Sequence, residues 1–376
     1  MKILDIYNVL DLEPTKADGF YVWDKNATQY LDFYGGHAVI SIGHSHPVWV
    51  KNLTKQITTL PFYSNAVVKP VEREFAKLLG EISGYEDYGF FACNSGAEAI
   101  ENALKLASFH TGKSKVLAFN GAFHGRTSGA VAVSGYKQNI SAFNNNHDVV
   151  FCDINDTETA VKIIKEENLS AVIIEGIQGV GGIIVPDDDF LKSLKIACEK
   201  TETVLILDEV QSGFGRTGDF FAHQKSGIKA DIVCMAKGMG NGFPVGGIIV
   251  SPNINYKKGQ LGSTFGGNHM AMEAGLAVLN VIKSDNLIEN AQKVGKYLID
   301  KLKDLPKVKE IRGKGLMIAV EFEMKDISDL RKNLLFEQKL ITGHAGTSTI
   351  RLLPALNITE KEADLAYKAI LNAVNM

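Results

Sequence analysis

A chain of 376 residues with a formal charge of only −3 has no long-range attraction for nucleic acid or anionic lipid, so any anionic ligand must be gripped by a few placed arginines. Hydrophobic residues make up 45% and charged residues 22%, the balance of an ordinary globular protein. At this length folding hides roughly 75% of the extended chain's surface, enough for a large core and too much for one simple domain.

The N-terminus, MKILDIYNVLDLEPTKADG, has acidic residues where a signal peptide needs an apolar stretch, and no segment reaches about 18 consecutive apolar residues. A soluble, cytoplasmic protein with no membrane or nucleic-acid partner is expected. Cys93, Cys152, Cys198 and Cys234 are widely spaced and form no CxxC pair. That argues against zinc or a redox dithiol and for buried, reduced thiols.

Between about residues 90 and 250 short apolar runs alternate with amphipathic stretches. The runs are FFAC (90–93), VLAF (116–119), AVAV (130–133), DVVF (148–151), AVII (171–174), VLIL (204–207), DIVCM (231–235) and GGIIV (246–250). They are apolar at consecutive positions, as strands covered on both faces are. Helical patterns such as DTETAVKIIKEEN and DDFLKSLKIACEK lie between them. The expectation is an α/β fold with a mostly parallel sheet wrapped by helices, with ligands outside the carboxyl ends of its strands. Beyond residue 268 a long helical stretch (270–305), the runs LMIAVEF and TIRLLP, and a last helix TEKEADLAYKAILNAV predict a smaller α+β unit.

Six segments carry residues suited to chemistry. In NSGAEAIENALKLASFH (94–110), Ser95 and Glu98 have the spacing of a capping box, and Gly96 and Ala97 leave the first N–H groups of a helix accessible. The segment reads either as a capped helix or as a phosphate site. In VLILDEVQSGFGRTG (204–218) a buried strand ends in Asp208, which either caps a turn or partners the protonated nitrogen of a heterocycle. Gln211 on the same loop can reach a ring oxygen. In DIVCMAKGMGNGFPVGG (231–247), Lys237 follows an apolar strand inside a glycine-rich loop. Solvation is harder there, and a lysine with a lowered pKa forms Schiff bases readily. Asp208 and Lys237 sit at the ends of successive strands and can converge. GAFHGRTSGA (121–130) offers Phe123 to stack on a ring and Arg126 to grip a carboxylate, while GSTFGGNH (262–269) offers the Ser263 and Thr264 hydroxyls. Arg351, within IRLLPALN, is an arginine in an apolar run and must meet an anion, either an internal acid or a substrate.

In this order the blocks NSGAEA, FHGRT, DEVQSGFGRTG, AKGMGNGFPVGG and STFGGN resemble the class III, ornithine-type aminotransferases of pyridoxal-phosphate (PLP) fold type I. The resemblance runs from YLDFYGGHAVISIGHSHP (30–47) to IRLLPALNIT (350–359). It implies a seven-stranded, mostly parallel sheet in a large domain (45–267) and a smaller α+β domain (1–44 and 268–376). It implies the cofactor pyridoxal 5′-phosphate and transfer of the terminal amino group of an N-acylornithine to 2-oxoglutarate, or of another ω-amino donor. Lys237 would hold the cofactor as a Schiff base and act as the base, and Asp208 would keep its ring nitrogen protonated. Gln211 would contact the ring oxygen and Phe123 cover the ring. Gly96 and Ala97 would bind the phosphate, with Thr264 supplied across a homodimer whose active sites are shared. Arg351 would take the substrate α-carboxylate, Arg126 the distal carboxylate of glutamate or 2-oxoglutarate, and Ser263 a substrate contact. One departure stands out. The family pattern EPIQGEGG reads EGIQGVGG here (175–182), so Val180 replaces an acid that can pair with the carboxylate-binding arginine. An aminomutase or decarboxylase on the same scaffold, and a PLP carrier without turnover, are the competing readings.

Overall fold

The computed structural model describes residues 1–376. Strands β1 (Pro14–Asp18), β2 (Tyr21–Asp24) and β3 (Gln29–Asp32) open the chain. They are followed by β4 (Gly89–Cys93), β5 (Lys115–Phe119), β6 (Val149–Cys152), β7 (Leu169–Glu175), β8 (Val204–Asp208), β9 (Ile232–Met235) and β10 (Gly246–Val250). The last five are β11 (Val308–Lys314), β12 (Met317–Phe322), β13 (Leu340–Ile341), β14 (Gly343–Ala345) and β15 (Thr349–Leu352).

The central sheet has seven strands in the order β4-β10-β9-β8-β7-β5-β6. The five strands from β9 to β6 run parallel, whereas β10 is antiparallel to both β4 and β9. β7, β8, β9 and β10 are buried at every position, which explains their unbroken apolar spelling. Helices between the strands cover both faces, among them Gly96–Thr111, Thr157–Glu166 and Asp188–Thr201. One core of 63 buried residues extends from Leu31 to Val374. No helix is long and apolar enough to cross a membrane.

The run AVAV, expected as a strand, is instead part of a helix, Ser128–Ala132. The cause lies outside the run: Glu101 Oε1 accepts the N–H groups of Gly129 (2.7 Å) and Ala130 (3.2 Å), capping a helix start that local composition does not advertise. The long C-terminal helical stretch is two helices, His269–Ser284 and Leu287–Leu302. They are parted at Asn286, which takes a left-handed backbone (φ 52°).

Two further sheets flank the centre, ordered β1-β2-β3-β13 and β11-β12-β15-β14. In the first, β13 runs parallel to β3. In the second, β15 carries Arg351 opposite Ala319 of β12 and Gly343 of β14.

Candidate active site

The carboxyl ends of β7, β8 and β9 meet in a cleft of about 420 Å³. Gly96, Ala97, Phe123, Arg126, Asp208, Gln211 and Lys237 all line it, so seven residues singled out in the sequence converge. A larger hollow of about 610 Å³, lined by Asn120, Lys137, Asn144 and His147 among others, contains neither the lysine nor the acids and offers no comparable chemistry.

The parallel register of β7 and β8 sets Glu175 directly beside Asp208. Asp208 Oδ2 lies 2.7 Å from His124 Nδ1, and Oδ1 accepts the N–H of Val210 at 2.9 Å. The two oxygens of Glu175 accept the N–H groups of Phe123 and Gly179, both at 2.9 Å. Burial above all, with the Asp208 charge adding to it, pushes the Glu175 carboxyl up to about 7, against the pull of His124 and the two N–H groups.

Lys237 follows Ala236 at the mouth of β9, in a short 3-10 turn with a left-handed backbone (φ 46°). That conformation costs a non-glycine residue of order 1–3 kcal/mol, strain of the kind that collects at functional sites. Burial lowers the ammonium below its ordinary range, opposed by the charges of Asp208 and Glu175 and reinforced by Arg351. Neutral amine is thus more accessible at Lys237 than at a surface lysine.

The cleft fits PLP. Gly96 and Ala97 open a 16-residue helix, and their N–H groups make no hydrogen bond within the chain. Unpaired N–H groups at the positive end of a helix suit a phosphate. Ser95 Oγ accepts Glu98 N at 3.2 Å, while Glu98 Oε2 accepts Asn94 N at 2.9 Å. The expected capping box therefore closes one residue upstream of Ser95. Two buried polar atoms of cleft residues, His124 Nε2 and Gln211 Oε1, lack any partner, so a polar ring would meet unfilled groups. The other end of the Gln211 amide donates to the His37 carbonyl at 3.2 Å. Gly179 presses on that amide so closely that a Cβ there would fall 1.9 Å from Gln211 Oε1. Phe123 is half-buried, and the Arg126 guanidinium lies 5.8 Å from its ring centroid.

Three expected residues are not in the cleft wall. Arg351 is buried, and its Nε and Nη1 donate to the carbonyls of His344 (2.8 Å) and Gly179 (3.0 Å). It reaches the site through Gly179, whose N–H Glu175 holds. No carboxylate pairs with it; among the arginines, Arg312 alone forms ion pairs. Ser263, expected to touch substrate, instead accepts from Asn94 Nδ2 (2.9 Å) and Gly266 N (3.1 Å) and donates to Glu98 Oε1 (3.0 Å). Its hydroxyl ties the 262–267 loop to the helix start. Thr264 is exposed on that loop. Sequence reasoning missed His124 and the partnership of Glu175 with Asp208. Both had a signal: His124 stands between Phe123 and Arg126 in FHGRT, and Glu175 ends an apolar run as Asp208 does.

The chain matches the model of the aminotransferase class-III family over residues 6–374. It is 39% identical to the acetylornithine aminotransferase of Methanosarcina acetivorans over 378 aligned residues, covering 99% of this chain and 94% of that protein. It is 37% identical to the [LysW]-aminoadipate semialdehyde/glutamate semialdehyde transaminase of Sulfurisphaera tokodaii, with 98% and 96% covered. The ornithine aminotransferase structure from Toxoplasma gondii superposes with a TM-score of 0.93 at 29% identity, covering 99% of this chain and 92% of that one. With the strand-end lysine and acid in one cleft, the chain belongs to the class III aminotransferases and works with pyridoxal 5′-phosphate.

Proposed function

We propose that this aminotransferase moves the terminal amino group of an N-acylornithine, such as N-acetylornithine or N-succinylornithine, to 2-oxoglutarate, giving the semialdehyde and glutamate in arginine biosynthesis. The observation that carries this reading is the pair of arginines flanking the Lys237–Asp208 cleft, neither matched by a carboxylate. Arg126 is exposed on the cleft wall, and Arg351 is buried with two carbonyls as its only hydrogen-bond partners. A dicarboxylate acceptor needs two such cations.

Bound PLP supplies an electron sink that acidifies the carbon bearing the amino group. Lys237 Nζ would hold the cofactor at rest and, once the donor's amine has displaced it, the freed amine would take that carbon's proton, a task suited to an amine whose protonated form is disfavoured. Asp208, oriented by His124 and the Val210 N–H, presents a carboxylate to the ring's positive nitrogen. Gly96 and Ala97 hold the phosphate, Phe123 covers one ring face, and Gln211 offers the unmet end of its amide to a ring substituent. Arg351 orients the α-carboxylate and Arg126 the distal carboxylate of the acceptor.

The reading includes a large cofactor-binding domain over 45–267 and a small domain of 1–44 with 268–376, supported by the pairing of β3 with β13. It includes a homodimer in which Thr264 serves the phosphate of the second copy. Exposed apolar side chains at Phe62, Tyr63, Val68 and Phe265 support it, with the Phe62 and Phe265 rings 5.2 Å apart. A cytoplasmic location is supported by four free, buried cysteines. The test is a donor panel assayed with 2-oxoglutarate: acetylornithine, succinylornithine, ornithine, acetyllysine and 4-aminobutyrate, compared by kcat/KM. Highest values for the acylornithines support the reading, and a preference for free ornithine or 4-aminobutyrate overturns it. An acyl-lysine donor is the second reading, favoured by the name of the Sulfurisphaera relative.

A further inference from the structure

One buried charge lies outside the reaction described above. Lys69, the residue before the helix Pro70–Ser83, keeps only 2% of its side chain exposed. A cation there opposes the positive end of the helix, so its position needs compensation from elsewhere. Glu72, one turn on, supplies a carboxylate at 3.0 Å. The rest comes from the loop 262–267 and its neighbour Asn65. Lys69 Nζ donates to the carbonyls of Gly267 (2.7 Å) and Gly266 (3.4 Å) and to Asn65 Oδ1. Asn65 Nδ2 in turn donates to the Ser263 carbonyl at 2.7 Å. A Cβ on Gly267 would fall 2.8 Å from Lys69 Nζ, and one on Gly266 would fall 2.2 Å from the Ala92 carbonyl oxygen of β4. The base of the loop is wedged between the central sheet and a buried ammonium.

The other end of the loop is tied to the helix start that suits a phosphate, through Ser263 Oγ, Asn94 and Glu98. Between the two ties Thr264 and Phe265 are exposed, and neither lines the cleft of its own chain. A tip held at both ends yet absent from its own site is placed to serve a site on another molecule. The exposed Phe265 ring lies 5.2 Å from that of exposed Phe62, an apolar patch on which a second copy can seat. We propose that Lys69 is a positioning residue that acts across the dimer. By fixing the Gly266–Gly267 end of the loop, it places Thr264 at the phosphate of the partner's cofactor. A loop fixed beforehand does not have to be ordered when the phosphate binds, which strengthens binding. This rests on the shared-site dimer proposed above.

Two mixed dimers of the same composition test it. Each carries one Lys69→Met and one Lys237→Ala, so that a single site can bond the cofactor. With both substitutions on one chain, the live site belongs to the wild-type chain and receives its loop from the altered one. With the substitutions on opposite chains, the live site receives an intact loop. Chains bearing two different affinity tags are co-expressed, and the doubly tagged dimers are isolated, freed of cofactor and titrated with PLP. The readout is the PLP concentration at which borohydride fixes pyridoxyl to half of the Lys237 amines. The first arrangement should need about tenfold more PLP than the second, as loss of bonds to a charged group does; Lys69→Arg in place of Lys69→Met should recover most of it. Both dimers hold the same two substitutions, so lost stability weighs on them alike. Asn65→Ala, which frees the Ser263 carbonyl, should give the same contrast and replaces Lys69→Met where that chain yields no dimer. Equal half-saturation in the two arrangements, or a weaker site on the chain that itself carries Lys69→Met, overturns the proposal while the dimer stands. A protein that sediments as a monomer and still binds PLP overturns the dimer reading as well.

Discussion

Replacing His124 by alanine removes the imidazole that orients Asp208. The two side chains are 0% and 4% exposed and meet at 2.7 Å, so water cannot take the vacated place without entering a packed site. A hydrogen bond to an ionised partner contributes about 1.5–3 kcal/mol, which converts to about a 10- to 150-fold loss in cofactor affinity if Asp208 can no longer face the ring nitrogen as an oriented carboxylate. His124→Asn keeps a nitrogen donor near the place of Nδ1 and should restore most of the affinity. The assay is a titration of cofactor-free protein with PLP followed by absorbance, together with the pH at which the bound chromophore changes colour. That pH should shift in His124→Ala and return toward wild type in His124→Asn. Unchanged affinity within about threefold, with no spectral shift, would refute the positioning role of His124.

Val180→Glu places a carboxylate one residue from the Gly179 carbonyl that receives Arg351. It should weaken use of glutamate, whose α-carboxylate Arg351 orients, relative to the ω-amino donor, measured as the ratio of their half-reaction rates; an unchanged ratio removes Val180 from the account of specificity. Glu175 predicts a pH dependence. Its carboxyl is raised in the fold from 4.5 to about 7, so the folded state holds a proton that the unfolded state has already released. Its contribution is fully present below about pH 4.5 and is lost as pH rises toward 7, on the order of 3 kcal/mol for the coupled group. Urea melts of cofactor-free protein should show this decline, and Glu175→Gln should flatten it; parallel curves for the two proteins count against a buried, raised carboxyl.

Much of the architecture was legible because burial on both faces writes itself as consecutive apolar residues. Seven of the eight apolar runs are strands of the central sheet. The exception, AVAV, had the right composition, but its helix is set by Glu101, a cap from another segment that no local window contains. β11 was also invisible: all seven of its residues remain at least partly exposed, so it lacks the apolar signature of the buried strands. At the site, Lys237 and Asp208 were readable because a charged residue directly after a buried strand has few places to go. His124 was hidden by its neighbours in FHGRT, to which roles had already been given. Ser263 erred in the other direction, since a hydroxyl in a glycine-rich loop does not reveal that Asn94 and Glu98 will claim it.

The central claim is that the amine of Lys237 carries the cofactor. Reducing the holoenzyme with borohydride and mapping the modified peptide tests it directly. The account predicts one stable pyridoxyl adduct, on Lys237, absent from Lys237→Ala. An adduct on a different lysine, or bound cofactor that borohydride fails to fix to the chain, would contradict it.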